Sequence, residues 1–418
     1  MKMAVLVWEY PPKIVGGLGT YAAEITRKFV LMDNDVTVFT MNDDAGSLPT
    51  REIWRGIEIH RPLHIDVSDS LPDVIAEDIR KWGLGAGIHL FSKILVYNYL
   101  SASKLVNELI KKENFKYDIV IAHDWLSAMG GITVKKEIGL PFAFHVHSTE
   151  KGRTLGHGSE VVSNIELHAA NAADMIVTVS YAMKDELTQL GFPKEKIQVS
   201  YNGVDPQKYN PEVATTEQVK KIRALYDIKD DEPMILFIGR LVGVKGVDKL
   251  IMAMPHILQK NPKAKLVVVG LGDLQEYLVN LVKAMRLTNS IKFRFEFIPE
   301  EERILHYAAC DVAVFPSFYE PFGIVVLEAM SMERPVVVGA AGISGMREIV
   351  VCCGEEQCGY HIDPNNPTDI AWGINSTLED PERRKWLGKN GRRRVLNEFT
   401  WDRVAEKTLE LYEQIVKK

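Results

Sequence analysis

Short runs of apolar, largely β-branched residues alternate along this chain with stretches in which apolar residues recur every three or four positions. In the first half the runs are MAVLVW (3–8), VTVFT (36–40), DIVIAHD (118–124), FAFHVH (142–147), MIVTVS (175–180) and IQVSYNG (197–203). In the second half they are MILFIGR (234–240), KLVVVG (265–270), IKFRFE (291–296), VAVFPS (312–317) and PVVVG (335–339). Continuous apolar strands with helices between them imply parallel sheets covered on both faces. Two such sets predict an α/β protein of two doubly wound, Rossmann-like domains facing a cleft.

The segment VDPQKYNPEVATTEQ (204–218) holds two prolines and no apolar periodicity, so the linker is placed there. The expected division is 1–206 for the first domain, 207–400 for the second and 401–418 for a strong terminal helix. Residues 63–112 form the longest helical insertion of the first half and carry Trp82, Phe91, Tyr97 and Tyr99, which either guide a glucan or simply pack.

Length and composition agree with this picture. At 418 residues the chain exceeds one ordinary core, and 46% hydrophobic with 25% charged residues is a soluble globular composition. The net charge is −6, and residues 1–206 carry 21 basic against 26 acidic side chains, which argues against nucleic acid and against docking on anionic membranes. No stretch approaches the roughly 18–20 apolar residues of a spanning helix, so no stable membrane insertion is expected. The start MKMAVLVWEYPP reads as a first strand and not as a signal peptide, which predicts a cytoplasmic protein. Cys352, Cys353 and Cys358 lack the paired C-x2-C halves of a zinc site and read as small residues in a loop.

In open parallel sheets ligands sit beyond the carboxyl ends of the strands, and the chemistry-bearing residues fall there. After the first strand a long loop reaches Gly16-Gly17 at a helix start, where uncovered backbone N–H groups suit a diphosphate or a sugar. Asp124 follows the strand DIVIA and His147 follows FAFHV, both placed to grip sugar hydroxyls. Arg240 and Lys245, five apart in a turn with three glycines, suit a leaving diphosphate: a guanidinium plus a point-charge ammonium.

The stretch FPSFYEPFGIVVLEAM (315–330) sets Glu320 in a crossover loop and Glu328 inside the following helix. The free N–H groups of Gly323, Ile324 and Val325 lie between the two acids. That order offers an acid near a reacting sugar, donors for phosphate, and an acid that accepts ribose hydroxyls. Asp33-Asn34-Asp35 matches a D-x-D metal signature but falls at the wrong end of the sheet and reads as a turn, so no metal is required.

Taken together, EYPP…GG, HDW, HVHS, NGVD (202–205), GRL…KG, the E-x7-E pair and the closing FTW resemble glycosyltransferase family 4, retaining enzymes of the GT-B fold. The start of the chain looks most like the glycogen and starch synthase branch. The resemblance implies a nucleotide-sugar donor, ADP- or UDP-glucose, no further cofactor, and transfer to an α-glucan with retained configuration. It further implies that Arg240 and Lys245 neutralise the diphosphate and Glu328 holds the ribose. Glu320 would lie beside the transferred sugar, Asp124 and His147 would contact its hydroxyls, and the final helix would cross back to the first domain. Many glycogen synthases carry Lys two residues before the glycine pair, where this chain has Ile14 and, one place earlier, Lys13.

Three other readings stay open at this point. Lys151 and Arg153 in HSTEKGRTLGHGS suit a small phosphorylated acceptor such as glucose 1-phosphate or fructose 6-phosphate. A two-domain sugar receptor without chemistry would need neither the cationic turn nor the acid pair. Gly17-Leu18-Gly19-Thr20-Tyr21-Ala22, with Asp43 and Asp44 beyond the second strand, matches the dinucleotide pattern of an NAD-dependent dehydrogenase, although its first glycine arrives nine residues after Trp8.

Overall fold

A computed structural model describes residues 1–42, 46–68 and 86–417. Asp43, Asp44 and Trp82 lie outside the described residues. The chain forms two compact units, Met1–Tyr201 with Trp401–Lys418, and Asn202–Thr400.

The first unit contains β1 (Lys2–Leu6), β2 (Asp35–Phe39), β3 (Arg51–Trp54), β4 (Ile57–His60), β5 (Ile119–His123), β6 (Phe142–Val146), β7 (Met175–Thr178) and β8 (Ile197–Val199). They form one sheet in the order β3-β4-β2-β1-β5-β6-β7-β8. All pairings are parallel except β3 with β4. Every residue of β5 and β6 is buried, as helices on both faces require.

The antiparallel β3–β4 hairpin was not among the expected strands. Its two-residue turn, Arg55-Gly56, has φ of +50° and +80°, the left-handed pair that matches strand twist. The alternation in REIW, with Ile53 79% exposed, belongs to an edge strand and not to the buried runs by which the others were read.

The second unit contains β9 (Met234–Ile238), β10 (Lys265–Val269), β11 (Ile291–Arg294), β12 (Val312–Phe315), β13 (Val336–Gly339) and β14 (Gly359–Ile362). The order is β11-β10-β9-β12-β13-β14, all parallel. β14 is also new: GYHI follows the cysteine loop, with Cys358 buried against it and Cys352 and Cys353 exposed.

In each sheet the chain builds outward in two directions from its first strand, and the reversal leaves a crevice beyond the carboxyl ends of the two strands beside it. Those strands are β1 and β5 in the first unit and β9 and β12 in the second. The topology therefore sets the candidate residues that follow these strands beside the two crevices.

Two further elements complete the first unit. The helix Trp401–Val416 buries Trp401, Val404, Ala405, Thr408, Leu411, Tyr412 and Ile415 on one face, against the helix Gly17–Leu31. Each large apolar side chain so covered stabilises by about 1.5–3 kcal/mol. Lys28 Nζ pairs with Asp402 Oδ1 at 2.6 Å, and Ser200 and Thr408 share a buried 2.9 Å hydrogen bond. The helix Ala86–Ser103 of the insertion buries Phe91 and Tyr97, and the Tyr97 hydroxyl donates to the Phe39 carbonyl at 2.9 Å. These two aromatics pack; Tyr99 is 53% exposed. None of the described helices is long and apolar enough to cross a membrane.

Candidate active site

In the first unit, β5 ends at His123 and the chain turns at once into the helix Asp124–Ile138. Asp124 takes φ +54°, a left-handed conformation that a branched or long side chain resists and aspartate tolerates. That turn aims its carboxylate at the end of the neighbouring strand, where Oδ1 accepts the His147 N–H at 2.7 Å. Asp124 and His147, read from separate motifs, are thus joined directly.

Two histidines that sequence reasoning left inside strands complete the cluster. His123 Nδ1 and His147 Nε2 lie 3.0 Å apart, and His145 Nε2 meets the Tyr412 hydroxyl at 2.7 Å. Burial, first of all, holds all three imidazoles below the usual 6.5, and their mutual repulsion adds to the effect on His123 and His145; Asp124 opposes it at His147. The rings are therefore neutral at pH 7. Their nitrogens converge within 4.8 Å, close enough to be compared with a metal site. His123 and His147 share one contact between their nitrogens, and His145 Nε2 is engaged separately by Tyr412. His147 is the partly exposed member. Its signal was the H-x-H spacing at the end of β6, which puts His145 and His147 on one face.

The glycine-rich start is anchored by a residue the motif reading passed over. Glu9 Oε2 accepts the N–H groups of Val15 and Gly16, both at 3.0 Å. Gly16 is the N-cap of the helix Gly17–Leu31, so its own N–H is occupied by a carboxylate. The first intrahelical bond runs from the Thr20 N–H to Gly16, so the first-turn donors beyond Gly16 are those of Gly17, Leu18 and Gly19. A carboxylate standing where a pyrophosphate would lie also counts against the dinucleotide pattern.

In the loop after β6, Arg153 is committed. Its guanidinium bonds Ser148 Oγ at 2.8 Å and Glu150 Oε2 at 2.9 Å, and lies 3.8 Å from Glu166. Lys151 is exposed. Burial pushes the Glu166 carboxyl from 4.5 up to about 8, against the pull of Arg153.

In the second unit, the loops after β9 and β12 meet. The first carries Arg240, then the tight turn Gly243–Lys245 closed by Gly246 at φ +66°. A Cβ on Gly246 would stand 2.2 Å from the Pro316 carbonyl oxygen, so only glycine permits this approach. The Phe318 N–H donates to the Val244 carbonyl at 2.8 Å, stitching the loops together. Lys245 Nζ then reaches Glu320 Oε2 at 2.5 Å, and Ser317 Oγ donates to the same oxygen at 3.2 Å. The Glu320 backbone is pinned from the other side, its N–H to Ile343 and its carbonyl to Gly345. Arg240 is exposed and enters no hydrogen bond or ion pair with the described residues.

Gly323, at φ +104°, caps the helix Ile324–Ser331 without a side-chain bond, so the N–H groups of Gly323, Ile324 and Val325 begin it uncovered by any capping side chain. Glu328 lies in that helix and is 4% exposed. Tyr209 donates to its Oε1 at 3.0 Å and Tyr307 to its Oε2 at 2.9 Å, with Arg303 Nε 3.3 Å from Oε2. The structure thus joins Lys245 with Glu320, keeps Arg240 apart in the same loop, and sets Glu328 beneath, in company that no local motif announced.

Residues 15–208 match the family described as Glycosyltransferase Family 4, and residues 218–394 match Glycosyl transferases group 1. An uncharacterised glycosyltransferase of Methanocaldococcus jannaschii is 32% identical over 416 residues, covering 99% of this chain and 98% of that protein. A glycogen synthase of Mycobacterium tuberculosis is 28% identical over 422 residues, covering 99% and 94%. Sucrose-phosphate synthase from Thermosynechococcus elongatus has a similar structure, with a TM-score of 0.78 at 23% identity over 100% of this chain and 99% of that one. With both halves matched and a relative aligned nearly end to end, this chain belongs to glycosyltransferase family 4 and has the GT-B fold.

Proposed function

We propose that the protein is a retaining glycosyltransferase that moves glucose from ADP- or UDP-glucose to an α-glucan. The observation that carries this reading is the meeting of Lys245 and Glu320 at the switch point of the second sheet, beside the Gly323-capped helix. An ammonium, an exposed guanidinium and uncovered N–H groups suit a diphosphate as it gains charge on leaving, and a carboxylate held beside them suits the cationic sugar left behind. Side-chain cations supply the charge that a metal ion supplies in other transferases, so the reading needs none. Asp124 as an acceptor and the neutral His147 as donor or acceptor suit sugar hydroxyls.

The glucan acceptor is favoured over a small phosphorylated one by the commitment of Arg153 to Ser148 and Glu150. Lys151 alone then remains for a phosphate. Incubation with ADP-glucose and UDP-glucose against glycogen, glucose 1-phosphate and fructose 6-phosphate, with products weighed by mass spectrometry and their anomeric protons read by NMR, tests the reading. Glucan lengthened by α-linked glucose is the expected product. A phosphorylated disaccharide would transfer the assignment to the second acceptor class, and release or transfer of no sugar at all would remove it.

A further inference from the structure

Three of the four cysteines stand in one loop, between the helix Met346–Ile349 and β14. Cys352 and Cys353 are exposed, while Cys358 and the remote Cys310 are buried. Both ends of the loop are tied down. Val351 donates its N–H to Cys358 Sγ at 3.3 Å, and the Cys358 N–H donates to the Val351 carbonyl at 2.9 Å. From the helix Pro381–Glu398, Asn390 Nδ2 donates to the Glu355 and Gln357 carbonyls, both at 3.0 Å. Cys352, Cys353 and Gly354 form the exposed stretch between these ties, outside any helix or strand.

The thiols divide by environment. Burial pushes Cys310 up to about 12 and Cys358 up to about 11, so both stay protonated and covered, and neither exchanges readily. Cys352 is in hydrogen-bonding contact with the Cys353 thiol. The little burial it has, first of all, and then that neighbour raise Cys352 as well, which marks a slow nucleophile and not a catalytic one. Among the described residues these sulfurs do not converge as the ligands of a metal do. What adjacency supplies is a second thiol within reach of anything that attaches to the first.

We propose that Cys352 and Cys353 are a modification site for small disulfides of the glutathione class, which they reduce by closing a disulfide between themselves. The Cys352 thiolate attacks one sulfur of glutathione disulfide, whose S–S bond breaks and releases one glutathione thiolate. The Cys353 thiolate then attacks the Cys352 sulfur of the mixed disulfide, forming the Cys352–Cys353 bond and releasing the second glutathione. The protein gives up two electrons and two thiol protons, and glutathione disulfide takes them up as two thiols. The second step is intramolecular, so it outruns attack by a thiol from solution. An exposed bond of this kind is labile, and an excess of reduced thiol reopens it. The site stands apart from the nucleotide-sugar reading and goes beyond it.

The test is intact mass spectrometry of the native full chain after incubation with glutathione disulfide, followed by peptide mapping without reduction. The wild type should lose two hydrogens, keep no glutathione, and yield a peptide holding the Cys352–Cys353 bond. Excess reduced glutathione should restore both thiols. Cys353→Ser, checked by thermal melting, should stop at the mixed disulfide and gain one glutathione, while Cys358→Ser should close as the wild type does. A wild type that keeps glutathione, or does not react, would overturn the proposal. So would ring closure in Cys353→Ser, which would make Cys358 the second thiol.

Discussion

The strand ends of the two units carry different chemistry. Beyond β5 and β6 the first unit gathers a carboxylate and three imidazoles, with Asp124 on the His147 N–H, His123 on His147, and His145 on Tyr412. Beyond β9 and β12 the second unit gathers ions: Lys245 on Glu320, Arg240 exposed, and Glu328 against Arg303. Neutral imidazoles discriminate hydroxyls by hydrogen-bond geometry and are little affected by salt. Charged groups at a partly open loop favour a phosphate and weaken as salt screens them. The same sheet topology thus brings two kinds of residue cluster to its strand ends, and the residue types there decide which.

The comparison breaks most sharply at the cations. Arg240→Ala or Lys245→Ala should lower turnover about 10²- to 10³-fold with an unchanged circular dichroism spectrum, the cost of losing one preorganised electrostatic contact. Wild-type rates in both variants would remove the ionic role from this loop. In the neutral site the effect should be smaller: His147→Ala should cost about tenfold in kcat/KM, the worth of about one hydrogen bond. Raising the salt from 0.05 to 0.5 M, an interval chosen to span the screening range, should weaken the donor KM and leave the acceptor KM almost unchanged.

Much of this difference was legible from residue type and position. The apolar runs located the strands, the turn glycines and cations marked the loop after β9, and the spacing of Glu320 and Glu328 placed one acid before the helix and one within it. What escaped had no local signature. Tyr307 sits among the buried positions of a helix and reads as core, and Tyr209 lies in a proline-rich linker 119 residues before Glu328. Glu9 stands seven residues ahead of the Gly16 N–H it caps, across a loop whose path no periodicity describes. His145 lies in an apolar strand, and its partner Tyr412 is 267 residues away. Side chains that meet only through the fold cannot be paired from spacing alone.

The first unit also carries two titrations of opposite sign. The three histidines sit below 6.5 in the fold, so the unfolded chain binds more protons under that pH. Stability present above pH 6.5 should fall as the pH drops through the folded values. Glu166, raised from 4.5 to about 8, stabilises in its protonated form, and that contribution is lost as the pH climbs through 8. Urea unfolding of Glu166→Gln should therefore be flatter than wild type between pH 6.5 and 8, above the range of the histidines, while the acid limb they set persists. An unchanged slope in that window would show that Glu166 does not carry the shift. The smallest effect is expected of Tyr412→Phe, which leaves His145 Nε2 without its 2.7 Å partner and should cost about 1–2 kcal/mol in the same unfolding assay.

The central claim is that the cationic loop of the second unit receives a nucleoside diphosphate. Titration of ADP and UDP into wild type, Arg240→Ala and Lys245→Ala by calorimetry addresses it without any assumption about the acceptor. The account predicts binding of at least one nucleotide to the wild type and a loss of roughly 10- to 100-fold in each variant. Undiminished affinity in both variants would contradict it.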